Sequence, residues 1–322
     1  MAGEMVQRWG FNPFTIFDTK GGIWLDKKRE WLAKGIQSEL GRPDAKSYDH
    51  SWAERKGRAV PQGDGVSVFD PFLCEVIYRY YCPAGGKVLD PFAGGSVRGV
   101  VAGCLGLQYT GIELNAEQIS ANNAQVQDIC PDASVEYRHG DCWTMLHKAR
   151  GLIKDMDLVF TCPPYGNLER YSDDPDDLST REYPDFLTLY RDILRGAFSA
   201  LKPDRFFAIV VGDFRDMKTG NLHGLPADTV RLARDVGFRL WNDAILATPI
   251  GTLPVRAGKP FSVSRKLGRA HQYVCIFVKG SGEAAARACG AERIGVQKPF
   301  VRRLKYAPKP RRRSVRDANN EG

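Results

Sequence analysis

Residues 161–165 combine residue types that suit a reactive site better than a packed strand end. They are Thr161, Cys162, Pro163, Pro164 and Tyr165, and the apolar run 158–160 precedes them. Proline lacks an amide hydrogen and holds the preceding residue extended. We therefore expect this stretch, here called the proline turn, to point a backbone carbonyl and an aromatic ring into a crevice at the carboxyl end of a strand.

A second candidate segment, here called the glycine turn, spans residues 90–96. It reads Asp90, Pro91, Phe92, Ala93, Gly94, Gly95 and Ser96, between a short apolar strand and a helical pattern. Glycines let a ligand approach the backbone, and the amino end of a helix favours negative charge. The spacing matches neither GxGxxG nor a phosphate-binding loop. Because Asp90 would repel phosphates, the segment predicts a nucleoside ligand with a cationic or zwitterionic arm.

Two further acids follow the next two predicted strands. Glu113 stands near the offset at which doubly wound domains hold ribose hydroxyls with a carboxylate, and Asp141 can accept a hydrogen bond from an adenine amino group. The predicted site also includes their neighbours Asn115 and Cys142. A solvated loop residue is the alternative for each acid alone, but three acids at three successive strand ends favour one common site.

The glycine turn and the proline turn together resemble the S-adenosylmethionine-dependent DNA amino-methyltransferases of bacteria and phages. These enzymes methylate adenine N6 or cytosine N4. Their cofactor motif is Asp-Pro-Phe-x-Gly-x-Gly, and their catalytic motif is Asp, Asn or Ser followed by Pro-Pro-Tyr or Pro-Pro-Phe. The resemblance covers residues 65–280 and implies S-adenosylmethionine as cofactor and double-stranded DNA as partner. It also places Asp70 and Phe72 in a segment that closes over the methionine end of the cofactor.

The resemblance implies a mechanism based on positioning. The amine of a base is a poor nucleophile inside the duplex stack, so such enzymes flip the base into a pocket. Tyr165 would stack on the base, while the carbonyl of Pro163 and the residue before it would accept hydrogen bonds from the amine. Because the methyl donor is already activated, no acid–base pair and no metal is required.

Cys162 departs from the family pattern, because a thiol is a weaker acceptor than the usual oxygen or amide. Either the Pro163 carbonyl or Thr161 then takes over, or the site has changed. A nucleophilic thiol that attacks cytosine C5 is the alternative, but that motif is Pro-Cys and the order here is Cys-Pro. The size of Cys162 is nearest to the serine of the cytosine branch, which favours cytosine N4 slightly over adenine N6.

Residues 248–271 contain no acid and predict a polar loop that contacts DNA. The candidate residues are Arg256, Lys259, Arg265, Lys266 and Arg269. Arginine and lysine bind phosphates, and arginine also reads guanine edges; a solvated hairpin is the alternative. Two other functions stay open at this point: methylation of RNA or protein, and nucleic-acid binding by an inactive methyltransferase fold.

Composition sets wider bounds. The chain has 322 residues, 43% of them hydrophobic and 26% charged, which is typical of a globular protein. Nine basic residues and no acid lie between Lys298 and Arg316, so the net charge of +8 leaves about −1 for the remainder. The tail is either a nucleic-acid contact or a solvated terminus.

The eight cysteines form no CxxC pair, which argues against zinc. No leader and no apolar run of membrane-spanning length is evident, so we expect a cytoplasmic protein without membrane contact.

Alternating strand and helix patterns predict an α/β fold. We expect a doubly wound, mostly parallel sheet of seven strands, a Rossmann-like methyltransferase, with an antiparallel edge hairpin from residues 238–247 and 272–278. The predicted domains are a helical extension and loop at 1–64, with a helix at 23–40, the methyltransferase domain at 65–280, and a basic flexible tail at 281–322.

Overall fold

The computed structural model describes residues 11–37, 69–148, 151–164, 181–216, 218–251 and 253–290. Within these ranges the strands are Ile16–Asp18 (β1), Lys87–Asp90 (β2), Gln108–Glu113 (β3), Val135–His139 (β4), Met156–Thr161 (β5), Leu201–Val211 (β6), Arg239–Ala247 (β7) and His271–Lys279 (β8). The α-helices are Gly22–Leu32 (α1), Pro71–Tyr81 (α2), Val97–Cys104 (α3), Ala116–Ile129 (α4), Tyr183–Ala200 (α5), Leu225–Val236 (α6), Leu253–Ser264 (α7) and Gly282–Ala288 (α8). A π-helix, Thr144–Lys148, follows β4. None of the described helices combines the length and the hydropathy that a membrane span requires.

The described strands form one sheet in the order β1-β7-β8-β6-β5-β2-β3-β4. Neighbouring strands are parallel except at β8, which runs antiparallel to both β6 and β7. Each face of the sheet has its own apolar core, centred on residues such as Trp24 and Tyr78 on one side and Phe186 and Phe207 on the other. This architecture confirms the predicted doubly wound, mostly parallel fold. Because the other strands are parallel, their carboxyl ends share one edge of the sheet.

The sheet has one strand more than we predicted. β1 lies in the part of the chain assigned to a helical extension, and it pairs in parallel with β7 so that Ile16 lies opposite Ile245. Phe17 is buried while Ile16 is exposed, but three residues are too few for such an alternation to identify a strand. The antiparallel β7–β8 pair is present as predicted. It is not the edge of the sheet, because β1 pairs with β7 on its outer side.

The amino-terminal helix is shorter than predicted. α1 ends at Leu32 because Gly35 adopts a left-handed φ of 94° and donates its amide hydrogen to the Leu32 carbonyl. Trp24 and Trp31 are buried, and their indole N–H groups donate to Asp70 and Glu75. These aromatics are packing residues, as expected. Residues 38–68 of the predicted helix and loop lie outside the described residues.

Two helices stand where the sequence predicts irregular chain. α7 occupies part of the predicted loop 248–271 and includes Pro260, whose presence, with Gly258, favours a loop in the sequence. α8 occupies the start of the predicted tail. Ser281 caps it by accepting a hydrogen bond from the Ala284 amide, and Ala285 is fully buried. Small residues at this packed face give too weak an apolar pattern to predict a helix, and residues 291–322 lie outside the described residues.

A cluster around Asp157 joins three strands at the amino edge of the sheet. Its carboxylate accepts hydrogen bonds from Lys202 Nζ at 2.8 Å and Arg205 Nε at 3.0 Å. The Lys87 amide also donates to it at 3.0 Å. Burial favours the neutral acid, but the hydrogen bonds from Lys202, Lys87 and Arg205 outweigh burial and lower the pKa of Asp157. The charged form of Asp157 therefore stabilises the contact between β2, β5 and β6.

Asp157→Asn is expected to lower the free energy of unfolding at neutral pH by on the order of 2 kcal/mol, because the partners lose a charged acceptor. A lowered pKa means that this contribution is complete above the ordinary aspartate pKa of about 3.9 and is lost as the pH falls through the folded-state pKa. Urea unfolding of both proteins should therefore give curves that converge in strong acid. A difference that stays constant into strong acid would contradict this assignment.

Candidate active site

The glycine turn and the proline turn lie side by side at the carboxyl edge of the sheet. β2 and β5 are parallel neighbours, with Leu89 opposite Val159. Asp90 and Thr161 are the last residues of these two strands. The fold thus brings together the two motifs that the sequence separates.

Asp90 is wholly buried and accepts hydrogen bonds from both turns. Its Oδ1 accepts from the Thr161 hydroxyl at 2.6 Å and from the Phe92 amide at 3.2 Å. Its Oδ2 accepts from Arg98 Nε at 2.5 Å and from the Tyr109 hydroxyl at 2.8 Å. The carboxylate therefore fixes the glycine turn against the proline turn.

This position differs from our expectation that Asp90 would attract the cationic arm of a ligand. Arg98 supplies the compensating charge, and its side chain is only 6% exposed. Burial disfavours the charged guanidinium, but the nearby Asp90 carboxylate outweighs it and raises the pKa of Arg98. Pro91, directly after Asp90, is also buried. In this structure Asp90 links parts of the protein and does not present its charge to the crevice.

Sequence reasoning missed Arg98. It is the one charged residue of α3 and lies in the first turn of that helix, where the helix dipole disfavours a cation. A cation in that place, shortly after an acidic strand end, was the available signal of a buried carboxylate partner.

The Thr161 side chain points inward. Thr161 is 2% exposed, and its hydroxyl donates to Asp90, so it does not replace the acceptor that Cys162 lacks. Cys162 packs against the apolar core on the α2 side of the sheet. In the proline turn, Pro163 is buried, Cys162 and Pro164 are partly buried, and Tyr165 lies outside the described residues.

Hydrogen bonds hold both sides of Gly94 in the glycine turn. Its amide donates to Glu113 Oε2 at 2.8 Å, and its carbonyl accepts from Asn122 Nδ2 at 2.7 Å. Its φ of 54° is left-handed, a conformation that favours glycine. Glu113 is partly buried at the end of β3, and its other oxygen accepts from the Asn115 amide at 2.9 Å. Gly95, the next residue of the turn, is partly buried.

Three other predicted cofactor residues cap helices. Asp141 accepts from the amides of Trp143 and Thr144 at the start of the π-helix. The side chain of Asn115 caps α4, accepting from the Glu117 amide at 2.8 Å. Asp70 caps α2 in the same way and also accepts from Trp24 and Lys28 of α1; the two distances are 3.1 Å. These carboxyl and amide oxygens therefore cap the amino ends of helices, in addition to any contact with a ligand.

The side chains of Cys142 and Phe72 belong to the core rather than to the crevice. Cys142 is 6% exposed and Phe72 is 1% exposed. Burial raises the pKa of the Cys142 thiol well above its ordinary value, and the neighbouring Asp141 adds to this. Phe72 packs edge-on against Trp24. We predicted cofactor contacts for both residues, and the apolar packing of the helices takes up their side chains instead.

The residues around the glycine turn fit a nucleoside cofactor with polar groups. Glu113 supplies a partly exposed carboxylate at a strand end, as ribose hydroxyls require. Ser96, next to α3, is 1% exposed, and its hydroxyl has no hydrogen-bond partner among the described residues. Buried hydroxyls are normally paired, so Ser96 is suited to a polar group that binds at the turn.

Residues 248–271, which contain the predicted DNA-contacting cations, follow β7 at the same edge of the sheet, and those cations differ in exposure. Lys259 and Arg265 are exposed, and Arg265 lies over the Phe261 ring. Lys266 and Arg269 are partly buried, and Arg269 forms an ion pair with Asp213 at 3.7 Å. The side chain of Arg256 lies outside the described atoms. Apolar side chains are exposed beside the cations: Val255 at 86%, Val263 at 80% and Leu267 at 76%.

Two family models match the chain. A model of the N6/N4 type, described as DNA methylase, matches residues 156–318, which is just over half of the chain and includes the proline turn. A model for RNA cap guanine-N2 methyltransferase matches residues 85–194, which include both turns. A search of curated proteins finds no match.

Solved structures of low sequence identity are similar to parts of this chain. TrmN from Thermus thermophilus is 16% identical with a TM-score of 0.44; the match covers 66% of this chain and 49% of TrmN, so the chain spans about half the length of that protein. A TehB-like SAM-dependent methyltransferase from Corynebacterium glutamicum is 18% identical, with 72% and 98% covered and a TM-score of 0.39. A second Thermus thermophilus protein, assigned as a DNA modification methylase, is 24% identical, with 44% and 52% covered and a TM-score of 0.32.

Ser96→Ala tests whether the glycine turn holds the cofactor. Removing a buried unpaired hydroxyl should stabilise the ligand-free protein by up to about 1 kcal/mol. The same change should weaken S-adenosylmethionine binding about tenfold, because a hydrogen bond is lost. Thermal unfolding and titration calorimetry measure the two effects. Greater stability with unchanged affinity would show that the hydroxyl does not meet the cofactor.

Proposed function

The chain belongs to the DNA methylase family whose model it matches, and we propose that it transfers a methyl group from S-adenosylmethionine to the exocyclic amine of a base in double-stranded DNA. The supporting observation is the junction of the two turns: the glycine turn and the proline turn meet at one sheet edge through Asp90. The matched family region includes the proline turn, and the fold is that of the Rossmann-like methyltransferases.

S-adenosylmethionine is the cofactor of this family, and it supplies a methyl group that its sulfonium already activates. In our proposal Glu113 accepts hydrogen bonds from the ribose hydroxyls, and Gly94 and Gly95 form the surface that the cofactor approaches. The buried Ser96 hydroxyl, next to them in the chain, supplies a further hydrogen bond to the bound cofactor. Asp141 lies at the next strand end, where the base of a nucleoside would be bound. Asp90 takes no direct part and keeps the turn in place.

The proline turn holds the amine of the flipped base. Proline at 163 and 164 fixes an extended backbone, so the carbonyls of Cys162 and Pro163 accept hydrogen bonds from the amine and orient its lone pair. Tyr165 stacks on the base. The Thr161 hydroxyl already donates its hydrogen to Asp90. The backbone carbonyls therefore accept the hydrogen bonds that the Asp, Asn or Ser side chain before the prolines accepts elsewhere in the family. Correct placement supplies most of the rate acceleration.

α7 and the residues after it form the proposed DNA contact. The segment has no acid and lies at the same sheet edge as the proline turn. Lys259 and Arg265 are the exposed cations and would bind phosphates. Arg269 is paired with Asp213, so it would hold the segment to the end of β6 rather than meet DNA.

Adenine N6, cytosine N4 and guanine N2 are all exocyclic amines, so both matching family models describe one kind of chemistry. The small side chain at Cys162 favours cytosine N4 slightly. Methylation of RNA is the second candidate, and it is favoured by the match to the RNA cap model across both turns. Attack on cytosine C5 by the Cys162 thiol is a further outcome that the product would reveal.

The purified protein with methyl-labelled S-adenosylmethionine tests the proposal directly. Duplex DNA, single-stranded DNA and RNA of the same sequences, randomised and long enough to contain many sites, are offered in parallel. We expect label in duplex DNA. Label in RNA alone would replace the proposal by the second candidate. Cofactor binding without transfer to any of the three would contradict the proposed function.

Tyr165→Ala and Pro164→Ala are expected to lower methyl transfer by at least about a hundredfold, because the base loses its stacking partner or its fixed backbone acceptor. Cofactor affinity should change less than about threefold, since neither residue belongs to the glycine turn. Transfer assays and calorimetry give the two values. Normal transfer by both variants would place the reaction elsewhere.

The double variant Lys259→Gln, Arg265→Gln tests the proposed DNA contact. Two fewer phosphate contacts should weaken duplex binding at moderate salt and reduce the salt dependence by about two units of slope. Fluorescence anisotropy over a salt series measures this. Arg231→Gln, on the exposed part of α6, is the matched control. An unchanged slope in the double variant, or an equal loss in the control, would remove α7 from the interface.

A further inference from the structure

Arg98 binds the backbone of the glycine turn as well as the carboxylate of Asp90. Its Nη2 donates to the carbonyl of Phe92 at 2.6 Å and to the carbonyl of Ala93 at 2.9 Å. The Phe69 ring lies against the guanidinium, with 4.5 Å between the ring centroid and Cζ. One planar group thus holds three acceptors of a single turn, a geometry that lysine cannot reproduce.

A contribution to stability does not by itself explain this buried ion pair. The Arg98 and Asp90 side chains are 6% and 0% exposed, and a buried ion pair is often no more stabilising than apolar residues of the same volume. The helix dipole of α3 adds an unfavourable interaction with the cation. The pair is stable only because its acceptors are placed correctly, which makes it a specific link between them.

The link continues to the proline turn. The Phe92 amide donates to Asp90 Oδ1 at 3.2 Å and to Thr161 Oγ1 at 3.3 Å. The Thr161 hydroxyl in turn donates to Asp90 at 2.6 Å. A displacement of the glycine turn must therefore move Thr161, which directly precedes Cys162. The Tyr109 hydroxyl anchors the second oxygen of Asp90 to β3.

We infer that Arg98 is a positioning residue that couples the two turns. Cofactor bound at the glycine turn sets the position of the proline turn through Arg98, Asp90 and Thr161. The inference rests on the proposed function only for the task of the proline turn. Because the Arg98 side chain is only 6% exposed, we expect it to act through the two turns rather than through contact with the methyl donor or the base.

Hydrogen exchange on the full-length protein measures the coupling without requiring catalysis. The peptide that contains Thr161 and Cys162 is followed with and without saturating S-adenosylmethionine. In the wild type we expect the cofactor to slow exchange in this peptide by at least about tenfold. In Arg98→Met the slowing should disappear although the cofactor is still bound, with an affinity about tenfold weaker.

Arg205→Met is the matched control, since Arg205 pairs with Asp157 at the opposite edge of the sheet. It should lower stability while keeping both the cofactor affinity and the slowed exchange. Equal slowing in the wild type and Arg98→Met would overturn the inference. Loss of slowing in Arg205→Met would overturn it as well, because the effect would then follow stability.

Thr161 provides the test if Arg98→Met does not fold. Thr161→Val removes the hydroxyl at nearly constant volume, and Thr161→Ser keeps it. We expect the slowed exchange to be lost in Thr161→Val and retained in Thr161→Ser; retention in both would refute the coupling. Since exchange requires no nucleic acid, a coupled protein that methylates no DNA would contradict only the proposed function, and an active protein without coupling would contradict only this inference.

Discussion

The carboxylate of Asp90 holds together the two strand ends from which the candidate site is built. It is fully buried, and its four hydrogen bonds reach α3, β3, the glycine turn and β5. A buried charge is tolerable only when it is paired and hydrogen-bonded, and in this chain Arg98 supplies the opposite charge while Thr161 donates a hydrogen bond. Asp90 therefore has a structural role, and the groups around it are the ones that can contact ligands.

Those groups are few and chemically distinct. Glu113 offers a partly buried carboxylate, Ser96 a buried hydroxyl without a described partner, and the residues around Pro163 offer backbone carbonyls. Such a set can orient a nucleoside and an amine, which is what transfer from an activated methyl donor requires. Cys162 does not prevent this, because backbone carbonyls accept hydrogen bonds whatever side chain precedes the prolines.

Patterns that depend on local sequence were predictable, and contacts that depend on register were not. The alternation of strands and helices and the two turns follow from apolar runs, glycines and prolines. The pairing of Arg98 with Asp90 depends on how α3 returns over β2, and a cation in the first turn of α3 is its only sign in the local sequence. β1 is too short to show an alternating apolar pattern, and Pro260 within α7 argues against a helix in the sequence. Asp70 before Pro71 predicts the start of a helix, and α2 begins there, at Pro71.

Nucleoside mass spectrometry tests the central claim most directly, because it identifies both the base and the methylated atom. DNA and RNA are digested from cells that express the wild-type chain and from cells that express the Tyr165→Ala variant. We predict N4-methylcytosine or N6-methyladenine in DNA from the wild type and its absence with the variant. Unmodified DNA with methylated RNA, or methyl groups on cytosine C5, would contradict it.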